Sequence, residues 1–360
     1  MSYKRKRITV KIGSNVLARP DGTLDITRMS ALTDQIAELH KAGVEIIVIS
    51  SGAVASGRSE LKIHRKLDAV SARQLFSAVG QAKLINRYYE LFREHNIACG
   101  QVLTTKENFS TRRQYLTQKQ CMEVMLENKV IPIVNENDTI SVTELMFTDN
   151  DELSGLVAAM MGAEALVILS NIDGIYDGSP SDPASQVIRR VAPGRDLSQY
   201  IDTARSSRGR GGMTTKSRIS SRAAGEGIEV VIANGRRDNI LTDLILTDRD
   251  VVCTRFEAAP RPASGVKKWI ASSEGFAKGA LHLDAGAAAA VSQSKAASIL
   301  AVGVTAVEGD FERDDIVRIL SPEGAPLGVG RISCDSATAR RNLGRKGLKP
   351  LIHCDYLYLE

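Results

Sequence analysis

The chain has 360 residues, 43% of them hydrophobic and 25% charged, with a formal net charge of +5. This is the balance of an ordinary globular protein, and the length admits roughly two or three domains of about 150 residues. The mild positive charge permits an anionic ligand without demanding nucleic acid, and no stretch approaches the roughly 18 apolar residues of a membrane span.

The basic run Lys4–Arg7 precedes ITVKIGSNV, where Lys11 interrupts any signal-peptide apolar segment. Strands are predicted at 8–12 (ITVKI), 44–50 (VEIIVIS), 97–103 (IACGQVL), 130–134 (VIPIV), 164–169 (EALVIL) and 228–233 (IEVVIA). Several are almost continuously apolar, as strands covered on both faces are. Helices are predicted between them at 27–42, 149–162 and 214–226. In the first, Met29, Leu32, Ile36 and Leu39 share one face. Strand and helix alternating in this way predict an α/β domain over 1–256 with a mainly parallel sheet. Residues 257–268 (EAAPRPASGVKK) read as a linker. Residues 269–360 read as a small β-rich, barrel-like module with Gly-marked turns and one helix at the Ala-rich run 285–291.

The five cysteines (99, 121, 253, 334, 354) are scattered and never form CxxC, so neither a disulfide framework nor a thiolate metal site is expected, and a reducing cytoplasm fits.

In an open parallel sheet, ligands bind beyond the carboxyl ends of the strands. Here those ends read Lys11-Ile12-Gly13-Ser14-Asn15, Ser50-Ser51-Gly52-Ala53, Asn135-Glu136-Asn137-Asp138 and Ser170-Asn171-Ile172-Asp173-Gly174. Glycine-rich turns that lead into helices present free backbone N–H groups and the positive end of the helix dipole, which suits anions. Gly13-Ser14 and Ser51-Gly52-Ala53 qualify, and a third such turn, Gly209-Arg210-Gly211-Gly212-Met213-Thr214-Thr215-Lys216, opens the helix predicted at 214. No Gly-Lys dipeptide occurs, which excludes a Walker A loop, and no GxGxxG marks a dinucleotide fold. What remains is a phosphate site assembled from separate loops. Lys11 and Lys216 are candidates to neutralise a phosphoryl group in transfer. Asp149, Asn150 and Asp151 fall at a helix start, where Asp is a common N-cap. They could equally hold Mg²⁺, orient the lysines or bind an ammonium group, and Asp138 could cap a turn or grip a cation.

KIGSN, SSGAVASG, NENDTI with FTDND, and GRGGMTTK together resemble the amino acid kinase superfamily and, within it, the glutamate 5-kinases, over residues 8–256. Residues 275–352 resemble a PUA domain. The resemblance implies a three-layer αβα fold carrying a PUA domain. It also implies ATP-dependent phosphorylation of the side-chain carboxylate of L-glutamate, the first step of proline biosynthesis, with Mg²⁺. By matching motifs it implies that Lys11 and Lys216 neutralise the phosphoryl group while Asp151 holds the lysines. Ser51, Asp138 and Asn150 would bind glutamate, with Asn135 and Asp149 in the same pocket. Gly13 and Ser14 would lie along the phosphates, and Ser170, Asn171 and Arg210 to Lys216 (with Gly211, Gly212, Met213, Thr214 and Thr215) would contact ATP. Feedback inhibition by L-proline and a homo-oligomer are further implications.

One departure stands out: the family usually has Thr-Asp where this chain has Ser170-Asn171, so an amide replaces a carboxylate near the nucleotide. Two rivals are weighed. A kinase of the same superfamily acting on acetylglutamate or a nucleotide would not need an acidic partner such as Asp138. An RNA-binding protein could use the basic run Arg340 to Lys346, but stacking aromatics near it are few.

Overall fold

The computed structural model describes residues 6–61, 67–109, 112–140, 147, 149–201, 212–247, 249–260, 270, 277–293 and 297–359. The chain forms two compact units, Met1–Lys106 with Gln118–Pro262, and Glu107–Thr117 with Ala263–Glu360. The expected linker at 257–268 lies mostly outside the described residues.

In the first unit, β1 (Arg7–Ile12), β2 (Glu45–Ser50), β3 (Cys99–Thr104), β4 (Ile131–Glu136), β5 (Ala165–Ser170), β6 (Arg190–Val191), β7 (Glu229–Asn234) and β8 (Thr254–Phe256) form one sheet in the order β3-β4-β2-β1-β5-β7-β8-β6. Pairing is parallel throughout except that β8 runs antiparallel to β7. Among the described residues the helices are α1 (Ser14–Leu17), α2 (Ile26–Lys41), α3 (Ala53–Glu60), α4 (Ala69–Glu94), α5 (Arg112–Glu127, of which only the part from Gln118 belongs to this unit), α6 (Asn150–Met161), α7 (Ser198–Ile201), α8 (Met213–Gly225) and α9 (Ile240–Ile245). The six strands read from the sequence each fall within two residues of their place.

Strand periodicity sorts the helices into layers, because successive side chains point to opposite faces. Ile8, Val10 and Ile12 of β1 and Ala165, Val167 and Leu169 of β5 share a core with Leu32 and Ile36 of α2, Tyr88 and Phe92 of α4, and Ile240 and Leu241 of α9. Leu166 and Ile168 of β5 pack in a separate core with Ala158 of α6 and Ala223 of α8. The unit is therefore three layers, helix, sheet, helix. Lys11 lies between Val10 and Ile12 in sequence, so its side chain emerges on the α6/α8 face. This parity decides which groups it meets.

The pair α3 and α4 packs backbone to backbone at two glycines. A Cβ on Gly80 would stand 1.7 Å from the Ala53 carbonyl oxygen, and one on Gly57 would stand 1.8 Å from that of Phe76. Neither backbone can yield without separating the helices. Gly80→Ala is accordingly expected to lower the unfolding free energy by about 2 kcal/mol, the usual cost of overpacking, as read from urea unfolding. Gly225→Ala is the control, since a Cβ there meets nothing within 4 Å.

The second unit holds a five-stranded sheet, β10-β9-β11-β12-β13, built from β9 (Gly279–Leu283), β10 (Val304–Gly309), β11 (Ile316–Leu320), β12 (Pro326–Arg331) and β13 (Leu357–Leu359). Leu281, Val317, Ile319, Ile332 and Ile352 form its core. The Ala-rich helix spans Ala285–Gln293. A second helix, Ser336–Arg341, was not expected; it is short, and the Asp335 side chain caps it by accepting from the Thr338 N–H. Among the described residues no helix is long and apolar enough to cross a membrane. The five cysteines carry free thiols.

Candidate active site

The carboxyl ends of β1, β2, β4 and β5 meet the starts of α6 and α8 along one rim of the sheet. β1 lies between β2 and β5, with Lys11 paired to Ile49 and Ile168, so this lysine projects from the middle of the sheet. The chain then turns at Gly13, whose N–H donates to the Leu169 carbonyl at 3.1 Å. A Cβ on Gly13 would come to 2.9 Å from that oxygen and 3.6 Å from Lys11 Nζ. After β2, Gly52 takes a left-handed φ of 108° that glycine adopts without strain, and α3 follows directly.

On the face where Lys11 emerges, Asp151 in the first turn of α6 is fully buried. Its Oδ1 lies 2.5 Å from Lys11 Nζ, and its Oδ2 accepts from Lys216 Nζ of α8 at 2.9 Å. One carboxylate thus holds two ammonium groups, one from each side. Burial alone would raise the Asp151 pKa, but Lys11 and Lys216 outweigh it and hold the carboxyl below its ordinary value. Its neighbour Asp149 behaves oppositely. Burial first, and the Asp151 charge second, push Asp149 up, against the Glu152 N–H and the two lysines. Asp149 is the N-cap of α6, its Oδ1 accepting from the N–H groups of Asp151 at 2.9 Å and Glu152 at 3.0 Å. Its Oδ2 is buried with no hydrogen-bond partner among the described residues.

Asn150 points along the rim instead. Its Nδ2 donates to the Ser50 carbonyl at 3.2 Å, Ser51 Oγ at 3.0 Å and Asn135 Oδ1 at 3.0 Å, tying α6 to the ends of β2 and β4. Beyond Asn135 lies a cluster the sequence reading missed. The guanidinium of Arg73 on α4 donates to Glu136 Oε2 at 2.7 Å and also contacts Asp138. Ser77 Oγ donates to Asp138 Oδ2 at 3.2 Å, the Phe147 N–H to Glu136 Oε1 at 3.0 Å, and Gln81 Nε2 to the Glu136 carbonyl at 3.2 Å. Burial, then the Asp138 charge, raises the Glu136 pKa to about 7 against the pull of Arg73. Arg73, Ser77 and Gln81 recur every fourth residue, a polar stripe along one face of α4, but the stripe alone does not say what it faces.

Two adjoining cavities line this rim. The larger, about 1150 Å³, is bounded by Lys11, Gly13, Ser14, Ser170, Asn171, Met213 and Lys216, among others. The smaller, about 840 Å³, is bounded by Arg73, Asn135, Glu136, Asp138 and Phe147. Ser51, Asp149 and Asn150 border both, so the two spaces meet at the start of α6. Asn171 is exposed at the lip of the larger cavity, whereas Ser170 is buried, its carbonyl accepting from the Gly235 N–H at 2.8 Å. Thr214 is exposed on the first turn of α8, Thr215 is half-buried, and Gly212 precedes that turn. Arg210 and Gly211 lie outside the described residues. The carboxylate Asp173 accepts from Asn234 Nδ2 at 3.1 Å and from the Tyr176 hydroxyl at 3.3 Å.

Among the described residues no three side chains of the rim are grouped as a ready-made metal cage; the one such group is His353, Cys354 and Asp355 in the second unit. Asp149 Oδ2 is a buried carboxylate oxygen of the rim with no hydrogen-bond partner or ion pair among the described residues. A single carboxylate suits Mg²⁺ carried in by a nucleotide, since that ion keeps most of its ligands from phosphate and water.

Residues 6–234 match the amino acid kinase family and residues 279–351 the PUA domain. A glutamate 5-kinase of Bacteroides thetaiotaomicron is 69% identical over 360 residues, 100% of both chains. A glutamate 5-kinase of Chlorobaculum tepidum is 45% identical, covering 98% of this chain and 97% of the relative. The solved UMP kinase of Bacillus anthracis shares the fold at a TM-score of 0.50 and 14% identity, covering 70% of this chain and 96% of that one. A layered parallel sheet with a lysine-flanked rim, and full-length identity of this order, place the chain in the amino acid kinase family, among the glutamate 5-kinases.

Proposed function

We propose that this rim transfers the γ-phosphoryl group of ATP to the side-chain carboxylate of L-glutamate, giving L-glutamyl 5-phosphate, the first step of proline biosynthesis. The observation that carries the reading is the buried Asp151 carboxylate with Lys11 and Lys216 on its two oxygens. Phosphoryl transfer needs positioning and neutralisation of charge more than covalent help from the protein. Two ammonium groups fixed in advance supply this without reorganisation during the reaction. An oxygen of the glutamate side chain forms its bond to the γ-phosphorus as the bond to the bridging oxygen breaks, and ADP leaves with that electron pair. No enzyme-bound intermediate is required.

ATP would occupy the larger cavity, its phosphates along Gly13 and Ser14, with Ser170, Asn171 and the segment from Arg210 to Lys216 contacting the nucleotide. Mg²⁺ bound with the nucleotide would neutralise phosphate charge, with Asp149 the available carboxylate. Glutamate would occupy the smaller cavity. Its side-chain carboxylate would lie at Ser51 and Asn150, Asn135 would line the pocket, and its ammonium would lie against Asp138. L-Proline presents the same ammonium and α-carboxylate, so it would compete there as a feedback inhibitor. A cytoplasmic homo-oligomer is the expected setting, and RNA is a candidate partner of the PUA domain.

The test is ADP release by the full chain with ATP, Mg²⁺ and one acceptor at a time. Turnover with L-glutamate, and none with N-acetylglutamate or UMP, is expected; the reverse preference would reject the reading. Asp138→Asn should raise the KM for L-glutamate about tenfold or more, the usual size for losing a charged hydrogen-bond partner, with a smaller change in kcat.

A further inference from the structure

The acceptor cavity has an inner end that the reading above leaves without a cation for the substrate's α-carboxylate. Arg73 lines the smaller cavity and not the larger, together with Glu136 and Asp138, whereas Asn150 and Asp149 border both. An amino acid whose side-chain carboxylate reaches Asn150 therefore directs its α-carbon towards Arg73. The other arginine of this cavity, Arg58, also borders the nucleotide cavity, and its guanidinium sits 5.4 Å from the Phe76 ring centre. Among the described residues, Arg73 is thus the cation that lines this cavity alone.

We propose that Arg73 selects free α-amino acids by exchanging partners: the substrate ammonium takes its place at Asp138, and the freed guanidinium pairs with the substrate α-carboxylate. The inference rests on the glutamate reading above. The exchange is balanced in charge, since one cation replaces another at Asp138. The fork of donors on arginine matches a carboxylate in a way a lysine does not. Glu136 stays in place throughout, because the Phe147 N–H holds its other oxygen at 3.0 Å. It anchors the guanidinium while the Asp138 contact changes, and it makes Asp138 the partner that is given up. Burial and the Asp138 charge already bring the Glu136 pKa to about 7, so the inner end has little tolerance for a further unpaired negative charge. An acceptor with a carboxylate but no ammonium would be rejected on the same ground.

The experiment measures the KM for L-glutamate and the inhibition constant of 4-aminobutyrate, which lacks the α-carboxylate, for the native chain and Arg73→Met. The expected result is a rise of about 30-fold in the glutamate KM, the usual scale for a lost charged pair, with the 4-aminobutyrate constant within about threefold of native or lower. Arg73→Met with Glu136→Gln removes the carboxylate left behind, and should give the same pattern if the single variant folds poorly. A glutamate KM within threefold of native, or both constants rising together, would overturn the proposal. Absence of native turnover with L-glutamate would instead remove the reading on which it stands.

Discussion

Lys216→Ala is expected to lower kcat for ADP formation with L-glutamate by about a hundredfold, the cost of removing one preorganised charge-stabilising group. The change should fall on kcat more than on either KM, because the ammonium acts on charge that grows as the phosphoryl group moves. Lys216→Arg should recover only part of the rate, since a planar guanidinium cannot replace a compact ammonium 2.9 Å from Asp151 Oδ2. Steady-state kinetics with both substrates varied would check this. A kcat equal to native would mean that the charge is neutralised elsewhere. The fold should survive, because Asp151 keeps Lys11 as its partner.

Asp151→Asn is expected to act on stability as well as on rate. The amide leaves two largely buried ammonium groups without their shared counter-charge, and breaking a buried pair typically costs about 3 to 5 kcal/mol. The lower end applies here, because both lysines border a cavity water can enter. The pH dependence has a definite sign. The folded-state pKa of Asp151 lies below its ordinary value, so its stabilising contribution is complete above the unfolded carboxyl pKa of about 3.9. It is lost as pH falls further, through the folded pKa. The stability gap between native and Asp151→Asn should therefore be constant from pH 8 to about 4 and narrow below it. A gap that changed between pH 6 and 8 would point to a different group. Urea unfolding at several pH values, alongside the rate of ADP release, would measure both effects.

Much of this site could be read from residues close together in the chain. The strands were legible because runs such as VEIIVIS and EALVIL are apolar on both faces, as a covered parallel sheet requires. The turns after them were legible because glycine and serine follow directly on apolar strands and lead into helices, as at Gly13-Ser14 and Ser51-Gly52. The Asp149–Asp151 segment was ambiguous, and the structure gives its carboxylates different partners. Oδ1 of Asp149 caps the helix, as aspartate at a helix start commonly does, while Asp151 meets the lysines. Arg73 was not legible, because its meaning depends on α4 lying over the end of β4, a long-range contact that local pattern does not encode. The short helix Ser336–Arg341 was missed for a different reason, since six residues carry too little periodicity to stand out. Arg210 and Gly211, singled out by motif, lie outside the described residues.

The order of the central strands has a consequence for shortened forms of the enzyme. Lys11 lies on the first strand of the sheet in chain order, yet that strand is flanked on one side by β5 and its counter-ion sits on α6. The second ammonium arrives later still, on α8. A chain that extends only through its first four strands therefore holds Lys11 without Asp151 or Lys216. On the reading proposed above, such a fragment would release no ADP, and turnover would require the chain at least through α8 and the strands that follow it in the sheet.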